Sequence, residues 1–546
     1  MTAATPYRSV TPYRSQAGPG RDGFPQLLHA EWTKFRTVRG WVVGIIVAGL
    51  LTVGVSLLYH GECGTFINGT QTAGCPGTPI GPGGEAVIDS FYFVHQPLAG
   101  DGTITVRVAS LTGRYPANGG ISPSGNPLAG YLAGVQPWAK TGIMIKASTT
   151  PGAAYAAMLV TGGNGVRMQY DYTGDIAGLP GAVTASSPRW LRLVRSGDTI
   201  TGYDSLDGAH WAQVGAVSLP GLSSTAQVGL FAASPTYEVY SQSAGHGGGT
   251  GGPTLATATF NSLTASWPAG TWAGTSVGAG GSGPPGPAGL GNGPSNPFYG
   301  GYHQAAGTFT VSGSGDIAPN VPGGPDGEGI SPTRAIETGT FFALIAMVIV
   351  GAVFITAEYR RGLIRTTLTA SPRRGRVLAA KAVVLAAVTF AVGLIGTAIA
   401  LPAGESKFRD GGYWVPPLSD AATARMIVGT AAVMAVASVL ALALGVIVRR
   451  GVAAVSTVIV LIVLPFLFAV IPGLLPVGAE DWLLRIFPAG AFAVQQAFPA
   501  YHQVVGQYLP GNGYYPLSWW AGLLVLCAWT VIALAAAASL LNRRDV

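Results

Sequence analysis

The chain has 546 residues, only 10% of them charged, and its mean hydropathy is +0.40. Soluble domains are usually about a quarter charged, so this composition argues against a soluble globular protein and favours a membrane protein. The formal net charge is +7. The basic residues stand at the ends of apolar runs, which argues against nucleic-acid binding and fits the positive-inside rule instead.

Charge and composition divide the chain into two parts. Residues 60–337 contain nine Lys and Arg and fourteen Asp and Glu, a net charge of −5, and the glycines and prolines crowd into the same stretch. The other residues contain 21 basic side chains (30 − 9) and nine acidic ones (23 − 14), a net charge of +12. The sequence therefore predicts a basic membrane part that is interrupted by an acidic inserted region.

Residues 1–40 are predicted to form a cytoplasmic tail that ends in an interfacial helix. Leu28, Trp32 and Phe35 follow each other at i, i+4 and i+7, which makes one apolar stripe beside charged residues. Such a helix lies in the plane of the lipid headgroups, and a loose tail before the membrane is the alternative. The apolar run 41–59 predicts transmembrane helix 1. Because forty residues precede it, we interpret it as a retained start-transfer helix rather than a cleaved signal peptide.

Six apolar runs are long enough to span a bilayer: 41–59, 339–357, 378–401, 426–448, 452–471 and 519–541. Arginines flank them at alternate ends, which places both termini in the cytoplasm and residues 60–337 outside the cell. Residues 338–546 then hold transmembrane helices 2–6 and a cytoplasmic loop, 358–376. The sequence predicts a multi-pass cell-membrane protein, with three tryptophans at the membrane interfaces: Trp41, Trp519 and Trp520.

The predicted spans carry no ionisable path. No Asp, Glu, Arg or His lies in the middle of a span, and Lys381 stands near the cytoplasmic end of the third, where its side chain can extend to the headgroups. Ion-coupled carriers and proton pumps need buried ionisable groups, so the pattern argues against a secondary transporter. The chain also lacks the phosphate-binding motif G-x-x-x-x-G-K-[ST], and we expect no ATPase site and no cofactor in it.

Residues 60–337 contain short strand-like segments between Gly-rich turns. The candidates are 91–98, 103–108, 142–147, 155–160, 166–172, 190–194, 199–203, 211–217 and 227–231. Such a series predicts an antiparallel sandwich or barrel, which we place at 86–235. A linker at 241–253, a small β-rich unit at 254–315 and an outer stalk at 318–337 are expected to complete this extracellular region.

Cys63 and Cys75 lie just past the first apolar run, on the extracellular side of the predicted topology. A disulfide between them is expected there, and two free thiols are the alternative. No further Cys or paired His lies nearby, so no metal site is predicted.

Two carboxylate pairs have the residue type that glycoside hydrolysis requires: Asp171 with Asp175, and Asp204 with Asp207. Each pair lies in or beside a predicted turn, where Asp is favoured for backbone reasons, so no catalytic residue is assigned. Three strand tryptophans either stack on sugar rings or belong to the sandwich core: Trp138, Trp190 and Trp211.

Two stretches carry a family resemblance. HAEWTKFRTVRGW precedes the first span and TAEYRRGLIRTTLTASPRRGRVLAAK follows the second. With six spans, they resemble the permease subunits of ABC-2-type transporters over residues 25–59 and 335–546. The resemblance implies an ATP-driven exporter that is a permease homodimer, with a separate ATP-binding subunit that uses ATP and Mg. It places coupling to that subunit at Glu358, Tyr359, Arg360, Arg361, Gly362 and Arg365. The alternative is that these charges only set the topology.

The strand order from FYFVHQPLAGDGTITVRV to AQVGLFAAS resembles the concanavalin-like (laminin-G-like) jelly-roll domains. The resemblance implies binding of an extracellular glycan or protein. The expected fold class is an α-helical membrane protein with six transmembrane helices and an inserted all-β, jelly-roll-like extracellular domain. A membrane-anchored cell-surface protein that binds or senses glycan or protein without transport is the alternative function, and an anchored surface hydrolase is a third.

Overall fold

The computed structural model describes residues 23–58, 64–67, 70–73, 78–117, 128, 130–243, 246–268, 270–278, 298, 300–322, 332–360, 362–364, 367, 373–411, 415, 418–471, 474–475, 478–496, 498–504 and 508–543. The expected disulfide partners, Cys63 and Cys75, lie outside these residues. Within them the chain forms a helical bundle and a large antiparallel β region inserted between the second and third helices.

The described residues form eight α-helices: α1 Phe24–Thr37, α2 Arg39–Leu58, α3 Pro332–Arg360, α4 Arg374–Asp410, α5 Asp420–Val448, α6 Gly451–Val470, α7 Ala479–Ile486 and α8 Trp519–Arg543. Six of them, α2 to α6 and α8, are long and apolar enough to cross a membrane, which confirms the six predicted apolar helices. Helix α4 continues to Asp410 instead of ending at Leu401. Past Pro402 it remains helical, and Arg409 pairs there with Glu405 at 2.9 Å across one turn.

Helix α6 contains a wider π turn at Ile459–Val463, directly before Pro465. The amide of Leu464 donates to the carbonyl of Ile459, five residues back. Because Pro465 has no N–H and its ring crowds the preceding turn, a regular helix would be distorted here. The π turn places that irregularity in a defined position within the span.

A buried 3₁₀ helix, Pro488–Gln495, lies between α5 and α8. It is at the end of the bundle away from the arginine-rich connection between α3 and α4, which we call the basic turn. Its Gln495 Nε2 donates to Thr340 Oγ1 (3.1 Å) and to Thr430 Oγ1 (3.2 Å). Gly522 of α8 permits the close approach, because a Cβ there would lie 2.0 Å from the carbonyl oxygen of Gly490. The segment is therefore built into the bundle.

In the part of the β region that the structure describes there are 21 strands: β1 Gly64–Ile67, β2 Thr70–Ala73, β3 Val87–Asp89, β4 Phe91–Ala99, β5 Gly102–Pro116, β6 Tyr131–Ala133, β7 Lys140–Lys146, β8 Tyr155–Thr161, β9 Val166–Tyr170, β10 Gly174–Ala177, β11 Arg189–Ser196, β12 Thr199–Ser205, β13 Ala212–Ser218, β14 Thr225–Ala233, β15 Tyr237–Ser243, β16 His246–Gly252, β17 Leu255–Ala265, β18 Ala273–Val277, β19 Gly301–Ala305, β20 Thr308–Gly313 and β21 Ile317–Pro319. All nine predicted strands are present.

Two antiparallel sheets pack face to face. One has the order β10-β9-β8-β7-β14-β4-β18, and the other has the order β13-β12-β11-β5-β17-β20-β19, with β6 beside β5. Side chains from both inner faces form one apolar core, including Val94 and Met158 from the first sheet and Ile104 and Leu191 from the second. The alternation of buried and outward residues along β11 follows from the two-residue period of a strand.

The predicted separate unit at 254–315 is not separate. Strand β17 pairs with β5, with Ala258 opposite Leu111, and β18 pairs with β4, with Thr275 opposite Phe93. The predicted linker at 241–253 is instead largely the hairpin of β15 and β16. Part of the predicted stalk pairs as β21 with β3, and α3 begins at Pro332. Pairing across roughly 150 residues leaves no local pattern, so the sequence could not reveal it.

The outward face of the seven-stranded sheet carries a buried polar network. Lys146 Nζ donates to Asp89 Oδ2 (2.8 Å) and to the hydroxyl of Tyr172 (2.9 Å), and that hydroxyl donates to the same carboxylate (2.8 Å). A second buried pair joins Lys140 to Asp316 at 2.6 Å. Asp89 pairs with Ile317 at one end of the β3–β21 ladder, and Asp316 directly precedes Ile317, so both ion pairs attach that short ladder to β7.

We expect Lys146→Met to lower the free energy of unfolding of the β region by about 3–5 kcal/mol, because it leaves the Asp89 carboxylate buried without its cation. His210→Ala is the control: its partner is Asp207 at the surface, where the His210 side chain is 93% exposed. Scanning calorimetry of the purified full chain measures both. Equal unfolding temperatures for the two variants would contradict a stabilising role of the network.

Candidate functional site

Four charged side chains meet where the helix before the first span reaches the basic turn. Lys381 Nζ donates to Glu31 Oε2 (2.6 Å) and to Glu358 Oε1 (2.7 Å). Lys34 Nζ donates to Glu31 Oε1 (2.9 Å) and to Glu358 Oε1 (3.3 Å). We call Glu31, Lys34, Glu358 and Lys381 the charge cluster. Its two cations and two anions balance.

The helices place these side chains by short local spacings. Glu31 and Lys34 are three residues apart on α1 and therefore lie on one face of it. Glu358 belongs to the last turn of α3, and Lys381 follows the start of α4 by two turns. Lys34 also donates to Thr367 Oγ1 at 3.4 Å, within the basic turn. The charge cluster thus joins α1, α3, α4 and the turn.

Lys381 does not extend to the membrane surface as the sequence suggested. Its side chain is fully buried, and its ammonium group lies 4.8 Å from the centre of the Phe354 ring. Among the described residues, the two carboxylates and this ring compensate for the loss of hydration. The correction has a simple cause, because both anionic partners come from other helices and one of them, Glu31, lies 350 residues away in the chain.

Lys34 is the accessible member of the charge cluster. Partial burial lowers the pKa of its ammonium group, but the hydrogen bonds and charges of Glu31 and Glu358 outweigh burial and raise the pKa above its usual value of 10.5. A raised pKa means that the contribution of Lys34 to stability is complete below pH 10.5 and is lost only as the pH rises through the raised value. Lys34 therefore carries its positive charge at physiological pH.

Glu358 is less completely satisfied than its partners. Its Oε1 accepts from both lysines, while its buried Oε2 receives no hydrogen bond from any residue in the described part of the chain. A buried carboxylate oxygen without a donor costs free energy. The α3 end of the charge cluster is therefore less completely hydrogen-bonded than the α1 end.

The structure separates the expected coupling residues into buried and exposed ones. Glu358 is buried in the charge cluster, and the ring of Tyr359 lies 5.4 Å from the guanidinium of Arg449, which begins the turn between α5 and α6. Arg449 itself has a left-handed backbone, with φ of 60°. Glu358 is thus not placed to meet a partner directly, whereas Tyr359 is partly exposed.

Arg360 and Gly362 are exposed at the end of α3. Gly362 has φ of 67°, a conformation that glycine adopts without strain, and it ends the helix there. The remaining two expected coupling residues, Arg361 and Arg365, lie outside the described residues. Exposed residues of the turn are the ones that a docking protein can contact.

The helix predicted before the first span is present as α1, and the residues of its apolar stripe differ in burial. Phe35 is buried and packs edge-on against Phe354, with ring centres 5.6 Å apart, and Leu28 is partly buried against the bundle core. Trp32 remains 43% exposed. Trp41 is buried against Phe354 at 4.8 Å, so it is a packing residue and not the interfacial residue that we expected.

A further contact closes this end of the bundle. Arg374, at the start of α4, donates to the carbonyl oxygen of Leu541 near the end of α8. Together with the charge cluster and the Tyr359–Arg449 contact, it connects the basic turn to α1, α3, α4, α5 and α8. A movement of the basic turn would consequently act on five of the eight described helices.

At the opposite end, the β region contacts the loop before α8. Gln503 Nε2 donates to the carbonyl oxygens of Tyr172 (3.1 Å) and Thr173 (3.3 Å), and Val504 packs with Ala318 and Val321. Tyr172 is a non-glycine residue with φ of 63°, a strained conformation held by its buried hydroxyl contacts. The Lys146 network and the loop therefore meet at one residue.

The four candidate carboxylates are each held by a different partner. Asp171 accepts from Tyr155 N (3.1 Å), Asp175 pairs with Arg167, Asp204 accepts from Leu179 N (2.7 Å) and Asp207 accepts from His210 N (2.8 Å). Burial raises the pKa of Asp171 and Asp204, whereas the hydrogen bond from His210 lowers that of Asp207. These contacts are those of turn and strand residues.

Two of the candidate tryptophans lie beneath arginines: Trp138 under Arg167 and Trp211 under Arg192, with 5.8 Å and 3.8 Å from guanidinium carbon to ring centre. Trp138 is buried, and the Trp190 ring lies against Gly208. Among the described residues, no three His, Cys, Asp or Glu side chains come together.

Comparison with known proteins assigns no family. No family model and no curated protein matches the chain. Solved structures that align with it include a functionally unknown protein from Saccharomyces cerevisiae, with 16% identity over 36% of this chain and 84% of that one and a TM-score of 0.21. Scytalido-glutamic peptidase aligns at 8% identity over 41% of this chain and 98% of its own, with a TM-score of 0.23.

The GH43 BlXynB protein from Bacillus licheniformis aligns at 16% identity over 28% of this chain and 26% of its own, with a TM-score of 0.17. At such low TM-scores and identities, these likenesses assign neither a fold family nor an activity.

A double-mutant cycle tests whether the charge cluster is one interacting unit. We expect Glu31→Gln and Lys381→Met each to lower the free energy of unfolding by about 3 kcal/mol, because each removes one of the ionic partners of a buried charge. We expect the double variant to cost less than the two together, with a coupling of about 1–3 kcal/mol. Chemical unfolding of the chain in detergent measures this, and additive costs would show that the two side chains do not interact.

Proposed function

We propose that this chain is the membrane-spanning permease subunit of an ATP-driven exporter of the ABC-2 type. The observation that carries the proposal is the charge cluster, which ties α1 and the two helices on either side of the basic turn into one unit. A motor protein that moves the turn would then move α1, α3 and α4 together. An anchored binding protein without transport has no need of such a link.

The six apolar helices would cross the cell membrane, with both chain ends and the basic turn in the cytoplasm. The clustered arginines of the turn support this orientation under the positive-inside rule. The burial of the charge cluster supports it too, because charges at a membrane boundary are tolerated when protein surrounds them and neutralises them. The β region is then extracellular.

The energy for transport would come from a separate ATP-binding subunit that uses ATP and Mg. Arg360 and Gly362, exposed at the end of α3, are the described residues best placed to meet it. Movement there would reach Glu358 within one turn of helix, and from Glu358 it would pass to α1 and α4 through the two lysines. Two copies of the chain would enclose the export pathway, and opening of the charge cluster at its less satisfied α3 end would accompany switching.

The β region would add an extracellular binding function of the jelly-roll type, for a glycan or a protein. Its contact with Gln503 supports a connection to the membrane part, because that loop joins the buried 3₁₀ helix to α8. A ligand that changes the strained turn at Tyr172 would therefore act on the outer end of the bundle. The transported substrate is an independent question.

The test of the proposal is recovery of an ATP-binding protein with the purified chain in mild detergent. We expect Arg360→Glu to lower that recovery several-fold, since it reverses an exposed charge where the motor would dock. Arg543→Glu, an equal change of charge at the exposed end of α8, is the matched control and should leave recovery unchanged. The triple reversal of Arg360, Arg361 and Arg365 should abolish it.

Membrane insertion of each variant is quantified in the same samples, so that failed insertion is not mistaken for failed docking. Recovery of an ATP-binding protein in equal amounts with wild type and triple variant would contradict the docking role. Purified chain that carries no ATPase at all would instead favour the anchored binding protein.

A further inference from the structure

An open apolar crevice of about 530 Å³ runs between α2 and α3 at the basic-turn end of the bundle. All ten residues that line it are apolar: Val38, Gly40, Trp41, Gly44, Val47, Ala346, Ile349, Val350, Val353 and Ala357. Its size is that of a cavity that holds a small organic ligand. Charged groups of the charge cluster do not line it, so the crevice is a separate feature.

Glycines create the crevice along one face of α2. Gly40, Gly44 and Val47 follow each other at i, i+4 and i+7, and a Cβ added to Gly40 would meet no atom within 4 Å. At Gly44 the two helices touch, because a Cβ there would lie 2.6 Å from Val350 Cγ2. The crevice is thus open along its sides, and the contact between α2 and α3 closes it at the bottom.

This shape limits what can occupy it. An α-helix with its side chains is about 10–12 Å across, so it would lie over the crevice and reach the floor only with side chains. A single acyl chain is only one methylene wide and can lie along the floor. Val47 and Ile349 are 42% and 43% exposed, so one long side of the crevice faces outward, toward bilayer lipid if the helices span the membrane.

Positive charge is gathered at one end of the crevice only. Arg36 and Arg39 are exposed on either side of Val38, where α1 gives way to α2. Arg360 is exposed one turn beyond Ala357, three residues further on α3. The lining toward the other end, at Val47 and Ala346, is apolar. An acyl chain with an anionic headgroup complements both features at once.

We propose that the crevice holds an acyl chain of an anionic phospholipid from the inner leaflet. The phosphate would be held by Arg39 together with Arg36 and Arg360. The site rests on the proposed membrane insertion but not on transport. Such a lipid would contact α1, α2 and α3 together, beside the basic turn. It would stabilise the arrangement in which the α1–α2 junction packs against the end of α3.

Photo-cross-linking of the full chain in vesicles tests the site. The probe is phosphatidylglycerol with a photoreactive diazirine in one acyl chain, and phosphatidylcholine with the same chain is its neutral counterpart. We expect phosphatidylglycerol to label peptides that contain residues 38–47 and 346–357. Gly40→Leu should lower this labelling several-fold, because the new side chain fills the crevice. Gly54→Leu, at an equally open glycine of the same helix, should not.

Two further variants distinguish binding of the acyl chain from binding of the lipid headgroup. Val47→Phe obstructs the other end of the crevice without touching the α1–α2 junction, and it should also lower labelling. Arg39→Gln should lower labelling by phosphatidylglycerol and leave that by phosphatidylcholine unchanged. Unchanged labelling in both Gly40→Leu and Val47→Phe would overturn the proposal, as would equal labelling by the two lipids in the wild type.

A change of oligomeric state in Gly40→Leu, with labelling retained, would show that a second copy occupies this face and would also overturn it. Recovery of the ATP-binding protein is measured on the same samples. Loss of labelling with that recovery retained supports the lipid site. Absence of the ATP-binding protein from the wild type counts against the proposed function and leaves the lipid result standing.

Discussion

Burial of charge at one end of the helical bundle is the constraint on which the arrangement of this protein depends. Lys381 has no exposed surface, so its ammonium group must be balanced by carboxylates supplied from elsewhere, and Glu31 and Glu358 supply them. Removing a charge from water is unfavourable unless it is paired and hydrogen-bonded. The requirement holds α1 against α3 and α4, and it fixes the position of the basic turn.

The two ends of the bundle are organised differently. At the basic turn, ionic contacts gather helices that are far apart in the chain. At the other end, neutral hydrogen bonds and aromatic packing prevail: Gln495 bonds Thr340 and Thr430, and Gln503 meets the strained turn at Tyr172. Because α3 and α5 extend from one end of the bundle to the other, a displacement at one end can be transmitted to the other end. That connection is what an exporter with an extracellular domain would use.

Local patterns in the sequence predicted the six apolar helices and many of the strands. They did not predict which distant segments contact each other. Six apolar runs predicted six helices, and alternation along segments such as 190–194 predicted the strands, because both signals are local. The charge cluster was missed because Glu31 and Lys381 are 350 residues apart. Lys381 was interpreted as a membrane-surface residue for the same reason. The sequence displays Glu31 three residues before Lys34 in α1. It does not display the second partner of Glu31, which is Lys381.

The β region shows the same limit. Nine of the fourteen described strands before residue 235 were predicted, and the short strands β1, β2, β3, β6 and β10 were not. Strands β17 and β18 were assigned to a separate unit, because their partners β5 and β4 lie far back in the chain. The prediction that Trp41 lies at the membrane interface was wrong. An aromatic residue at a helix end has the same sequence pattern whether lipid or a side chain such as Phe354 packs against it. Pairing between distant segments is the information that one sequence does not display.

The most direct test of the central claim is the side of the membrane on which the basic turn lies. In a chain whose native cysteines are replaced by serine, Gly375→Cys at the start of α4 and Ser224→Cys in the β region provide two exposed positions. With a membrane-impermeant maleimide on intact cells, the account predicts labelling at 224 immediately and at 375 only after permeabilisation. Labelling at 375 on intact cells would contradict it, because no cytoplasmic motor could then reach the turn.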